Sequence, residues 1–391
     1  MPEATVELPC QAWFAPDEYQ GRVAGIRRRM AEQRIEGLLI TSEQNFIYLS
    51  GMPTPSFLSR ARPLSLILPL ESDPVLVVAE AHTRDAVACS WVEDVRGFDG
   101  FERESLSVIA DALRDRGLDR VSIGCELGEE QRLGISWLGF EALRQSLPDA
   151  QFVDAAQILW SARKHKSPTE IAYLKEVGQI TGHAYEAALG EVRAGTTEED
   201  VYRRFAARCA ELGAKTPGYF AMHSGRGSDT RPNRWPTDRR LQSGDLLWID
   251  AGTAYRGYWS DYTRMLSIGE PDAERQGAYA FVHDTAQQLL ASVRPGVACR
   301  DLMAICELAF ARAGRRIGNS TRIGHGIGLE LSEPPSILGD DPTVLEPGMA
   351  IALEPAFRGE VGYFVVEEDV VVTDTGFEYL SVPAPAELPA I

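Results

Sequence analysis

Several features that would define other protein classes are scarce here. Six cysteines (Cys10, Cys89, Cys125, Cys209, Cys299, Cys306) are scattered over 391 residues without CxxC spacing. No disulfide framework is encoded, and buried, reduced thiols of a cytoplasmic protein are expected. Basic charge is short, with 39 lysines plus arginines against 57 acidic residues and a net charge of −18. A phosphate backbone would be repelled, so no nucleic-acid partner is expected. No apolar run reaches membrane-spanning length, and residues 1–14 carry Glu3 and Glu7 without a basic start, so neither a membrane partner nor a secretory signal is expected. The chain does have length for two or three domains and 44% hydrophobic residues for their cores.

Residues 19–155 alternate between helical and strand-like patterns. Val23, Ile26 and Met30 share a helix face, and residues 37–41 read as a buried strand. The apolar runs 64–70 and 75–79 are joined by Glu71, Ser72, Asp73 and Pro74, the pattern of a hairpin. A helix near 106–113 and a strand at 121–125 complete an α/β domain that concentrates no catalytic residue types. The basic run Arg163, Lys164, His165, Lys166 marks a boundary, giving domains 1–165 and 166–391. Ser167, Pro168 and Glu170 then form a capping box that opens a long helix.

The second domain repeats itself. Val192 to Gly195, Asp200 and Gly213 recur as Val293 to Gly296, Asp301 and Gly314, and the strand GDLLWID ending on Asp250 is matched by GMAIALE ending on Glu354. Two matched pairs in one order predict duplicated αβ halves about a pseudo-twofold axis, which would bring both carboxylates to one central place.

The segment DAGTAYRGYWSDYTR (250–264) brackets a glycine-containing turn with Asp250 and Asp261, so paired strands would set both on one face. Carboxylates at the ends of apolar strands are costly unless paired, hydrogen-bonded or bound to metal. The second half adds Glu354, the pair Glu367 and Glu368, and His325 between glycines that allow close approach of backbone or ligand. Four carboxylates and one imidazole form a donor set for two divalent ions; the oxygen-rich ligation suits manganese, and the imidazole admits zinc, cobalt or iron.

At these residues the chain resembles the pita-bread metallopeptidase family, which includes proline dipeptidase, Xaa-Pro aminopeptidase, methionine aminopeptidase and creatinase-like enzymes. The motifs are D-x-G-x(4)-G-Y-x-x-D-x-T-R, G-H-G-I-G-L and E-P-G-M-x(4)-E-P, and residues 19–51 resemble the family's amino-terminal domain. The resemblance implies an α+β chain: a pita-bread catalytic domain of duplicated αβ halves after a smaller α/β creatinase-type domain. It implies a metal-dependent hydrolase of a C–N bond in a dipeptide or other small substrate, and a homodimer. It carries metal-ligand roles to Asp250, Asp261, His325, Glu354 and Glu367, with Asp261 and Glu367 bridging two ions and Glu354 also moving the proton.

Three positions depart from the family pattern. Asn233 and Ser332 stand where histidines support substrate and transition state, and Val365 stands where an arginine is usual. His223, 102 residues before His325, is a candidate catalytic replacement, its alternative being a loop histidine without a role. Arg231 and Arg234, with Arg226, lie on a glycine- and proline-rich loop and are candidates to receive a substrate carboxylate. These departures keep open a non-peptidase of the same fold: an amidinohydrolase, an ectoine-type hydrolase or a dimethylsulfoniopropionate lyase. A metal-free binding protein is disfavoured because all five ligand positions are filled.

Overall fold

The hairpin expected around Pro74 forms: Ser65–Pro69 and Val75–Ala79 pair antiparallel, with Leu66 opposite Leu76. In the computed structural model, which describes residues 13–215, 217–225, 234–317 and 322–391, this hairpin belongs to a mixed six-stranded sheet. Its order is Asp94–Phe98, Val75–Ala79, Ser65–Pro69, Gly37–Ile40, Ser122–Cys125 and Gln151–Asp154. The helix Pro16–Gln33 buries Val23, Ile26 and Met30. The helix Glu102–Asp115 buries Leu106, Ile109 and Leu113 in the core with Leu39, Ile67, Val77 and Ile123.

The chain divides into two units, Met1–Ala162 and Arg163–Ile391. The basic run expected to mark the boundary is largely a structural part of the second. Arg163 and Lys166 are buried against Glu333, while Lys164 and His165 reach Glu346. The capping box forms as expected, with Glu170 N–H donating to Ser167 Oγ (3.2 Å) and Ser167 N–H to Glu170 Oε2 (2.7 Å), and opens the helix Pro168–Leu189.

The duplication is visible in backbone conformation. Gly195 and Gly296, Gly213 and Gly314, and Gly244 and Gly348 all adopt positive φ, between 63° and 94°. The helices Glu198–Glu211 and Cys299–Arg312 match, and Gly195 N–H donates to Leu241 as Gly296 N–H does to Leu345. Each half carries an antiparallel sheet. One runs Tyr262–Ser267, Leu246–Tyr255, Pro217–Gly225; the other runs Glu333–Ser336, Gly324–Gly326, Ala350–Leu353, Glu368–Val372, Phe377–Tyr379. Among the described residues no helix is long and apolar enough to cross a membrane. Cys125, Cys209, Cys299 and Cys306 are buried, Cys89 is half-buried, and none of these is disulfide-bonded.

Candidate metal centre

Strand register assembles the carboxylates. Thr263 pairs with Asp250 and Tyr262 with Ala251, so the two-residue period sets Asp250, Thr263 and Asp261 on one face. A Cβ on Gly252 would come 2.4 Å from the carbonyl oxygen of Ser260, so only glycine admits this close approach of the paired chain. In the second sheet His325 faces Ala352, which faces Asp369, and Leu353 faces Glu368. Glu354 and Glu367, one step beyond that last pair, share the face of His325 and Asp369. The glycines flanking His325 serve the backbone: a Cβ would meet the carbonyl of Ala352 at 2.2 Å from Gly324 and that of Pro334 at 2.4 Å from Gly326.

Asp261, His325 and Glu367 are buried, and their ligating atoms lie within 4.8 Å of one another. His325 Nε2 is 3.7 Å from Asp261 Oδ2. Its Nδ1 is 2.9 Å from the carbonyl oxygen of Gly326, which assigns the ring proton to Nδ1 and leaves the Nε2 lone pair facing the carboxylates. Thr263 Oγ1 donates to Glu367 Oε2 (2.8 Å), the Tyr219 hydroxyl to Asp250 Oδ2 (3.1 Å), and the Asp261 N–H to Asp369 Oδ2 (2.8 Å). One oxygen each of Asp250, Asp261 and Asp369 is buried without a hydrogen-bond partner.

Burial, then the charges of Asp250, Asp369 and Glu354, push Asp261 well above the usual carboxylate range. Burial and then Asp261, Asp250 and Glu354 do the same to Glu367. Desolvation raises Asp250 to about 6 against the restraint of Tyr219 and Thr263. His325 is pushed down to about 4, by burial and then by Arg322, so its ring is neutral at pH 7. The charge of Asp250 opposes ionisation of Asp261, and a bound divalent cation would relieve that cost. Orphaned hard oxygens around one neutral imidazole fit divalent cations.

The remaining sequence candidates separate. Glu354 lies at the rim with its side chain 21% exposed. Glu367, not Glu368, joins the cluster, because Glu368 is held by Arg264 (3.1 Å), Ser381 and the Ala384 N–H. His223 lies opposite Trp248 on the Asp250 face, but its ring is buried and stacked on Trp248 at 5.2 Å. Ser332 accepts a hydrogen bond from Arg322 (3.2 Å).

Arg234 departs from its expected substrate role. Both its Nη atoms donate to buried Glu198 at 2.8 Å, so its fork is taken by the protein. Arg231 and Asn233 lie outside the described residues. Val365 is buried on a hairpin strand, its N–H 3.3 Å from Met265 Sδ. Sequence reasoning assigned no role to Asp369, whose signal was its two-residue spacing from Glu367, to Arg264, which closes the first motif, or to Arg322, which carried no signal beyond its proximity to His325.

The model of metallopeptidase family M24 matches residues 172–374, and that of the creatinase/prolidase N-terminal domain matches residues 22–165. The probable dipeptidase PepE of Mycobacterium tuberculosis is 29% identical, over 93% of this chain and 94% of that protein. The Xaa-Pro dipeptidase of Pyrococcus horikoshii is 25% identical, over 92% and 96%. In fold, the chain superposes on the Xaa-Pro dipeptidase of Bacillus anthracis with a TM-score of 0.84 at 24% identity, covering 95% of this chain and all of that one.

Proposed function

The chain belongs to metallopeptidase family M24 and is a metal-dependent hydrolase, and from that premise we propose that it cleaves Xaa-Pro dipeptides with two divalent ions, manganese first among them, held by Asp250, Asp261, His325, Glu354 and Glu367. The observation that carries this reading is the buried cluster of Asp261, His325 and Glu367 beside orphaned carboxylate oxygens. Relatives named as dipeptidases weigh toward peptide cleavage over the amidinohydrolase, ectoine-type and lyase alternatives.

Bound there, the ions would supply a Lewis acid for the scissile carbonyl and lower the pKa of an attacking water. The protein's own part is positional. Gly326 fixes the His325 tautomer, Thr263 and Tyr219 orient Glu367 and Asp250, and the Asp261 backbone is tied to Asp369. Glu354, at the rim, accepts a proton and returns it to the departing nitrogen. We further propose a cytoplasmic homodimer, in keeping with the buried thiols and the family resemblance; sedimentation equilibrium at micromolar concentration checks the dimer, and a monomer alone would refute it.

The test is elemental analysis of purified protein with hydrolysis of an Xaa-Pro dipeptide panel before and after chelation. Two ions per chain, loss of turnover on chelation and recovery with manganese are expected. Full activity in a thoroughly chelated sample would overturn the reading.

A further inference from the structure

The guanidinium of Arg322 stands apart from the other arginines near the centre. Arg264 is buried on Glu368 and on the carbonyls of Thr263 and Glu367. Arg234 is clamped to Glu198, and Arg239 forks onto Asp245 at 2.6 and 3.0 Å. Arg322 instead meets a neutral acceptor: Nη1 donates to Ser332 Oγ at 3.2 Å, while Nε stays 4.0 Å from Glu354 Oε1, beyond hydrogen-bonding distance. Its side chain is 34% exposed. A guanidinium carries five donors in a planar fork, and among the described contacts only Nη1 of this one donates a hydrogen bond.

Charge balance gives that capacity a purpose. Asp250, Asp261, Glu354, Glu367 and Asp369 bring five carboxyl groups to the centre, so even two divalent ions leave it hostile to an incoming anion. Resting on the peptidase reading above, we propose that Arg322, held by Ser332, is a specificity-determining residue that receives a substrate carboxylate at the rim of the metal centre. Its placement fits the distance. Nε lies 4.0 Å from Glu354 Oε1, close to the span of about 3.3–3.6 Å of one residue of extended chain, so with the scissile bond held at Glu354 a carboxylate one residue away would come beside the guanidinium. The arginine expected to clamp the substrate from the 226–234 loop is thereby replaced by one that lies just before the strand Gly324–Gly326.

The test uses the metal-loaded full chain, wild type against Arg322→Gln and Arg322→Lys, on alanyl-proline, alanyl-proline amide and aspartyl-proline amide. Arg322→Gln is expected to raise KM for alanyl-proline by roughly 10- to 150-fold, with a far smaller change on alanyl-proline amide and partial recovery in Arg322→Lys. If instead the wild type prefers aspartyl-proline amide over alanyl-proline amide and Arg322→Gln erases that preference, the carboxylate is a side chain's; either pattern supports recognition. Equal losses on all three substrates, or a reduced metal content in Arg322→Gln, would overturn it. If the wild type cleaves none of them, the peptidase reading falls and binding decides. N-acetyl-L-proline titrated calorimetrically should then bind the wild type at least about tenfold more tightly than Arg322→Gln, and equal or absent binding overturns the role.

Discussion

Both units bury carboxylates on or beside strands, and they treat them in opposite ways. In the amino-terminal unit Glu126 follows the strand Ser122–Cys125 and is 1% exposed. Its Oε2 accepts from Thr41 N–H (2.7 Å), Thr41 Oγ1 (2.9 Å) and Ser42 N–H (2.9 Å), and its Oε1 from Ser42 Oγ and Asn45 Nδ2 (2.8 Å). This knot fills the crevice at the carboxyl ends of two parallel strands, where open α/β sheets ordinarily take ligands. In the catalytic unit Asp250, Asp261 and Asp369 each retain an orphaned buried oxygen. A carboxylate saturated with donors holds a fold together, and one left with lone pairs awaits a cation.

Exchanging a carboxylate for its amide in each place breaks or sharpens that contrast. Asp261→Asn should lower kcat by about 10³-fold or more, because a charge on the ions is lost, and should cost metal stoichiometry measured by elemental analysis. In chelated protein the same change should leave stability equal or higher, since it removes a buried carboxyl group whose ionisation burial and the neighbouring acids oppose. Glu126→Gln should do the reverse, destabilising the protein by roughly 2–3 kcal/mol in urea unfolding while metal content stays at the wild-type value. A chelated Asp261→Asn protein less stable than the chelated wild type would break the contrast.

A third buried carboxylate shows the other form of compensation, by cations. Burial alone would raise Glu333, but Arg163 and Lys166 hold it down to about 2 against an ordinary 4.5. Its folded-state pKa is depressed, so its contribution is present above about pH 4.5 and is lost as pH falls toward 2, on the order of 3 kcal/mol in all. Urea midpoints between pH 6 and pH 2.5 check this. Glu333→Gln should start less stable and decline less steeply over that window, and parallel slopes for the two proteins would refute the assignment.

Much of this was legible in the sequence because it was encoded locally. The capping box at Ser167, the hairpin at Pro74 and the shared face of Asp250 and Asp261 follow from periodicity and turn chemistry within a few residues, although the strand read as ending on Asp250 runs on to Tyr255. The repeat was legible because positive φ at paired positions selects glycine twice over. What was not legible depends on partners far apart in sequence. Glu126 meets Thr41 across 85 residues, Arg264 meets Glu368 across 104, and Glu198 captures Arg234 across 36. A sequence shows that an arginine lies on a loop near a site, but not which acid has already taken it.

Arg234 gives the smallest and sharpest test of that point. Glu198 is buried and receives Arg234 at both oxygens, together with Ser224 and with Thr237 through its N–H and hydroxyl, and these bonds hold it at about 2 although burial opposes them. Arg234→Lys keeps the charge but replaces a planar fork with a single ammonium, so one carboxylate oxygen loses its cationic partner. The loss should appear as roughly 1 kcal/mol of stability. KM for an Xaa-Pro dipeptide should hardly move, because the guanidinium faces Glu198 and not the metal centre. The discriminating measurement is therefore the pair, urea midpoint and KM, on one preparation. A KM raised tenfold at unchanged stability would mean that Arg234 releases Glu198 to meet substrate, and the carboxylate clamp would return to the loop where the sequence first pointed.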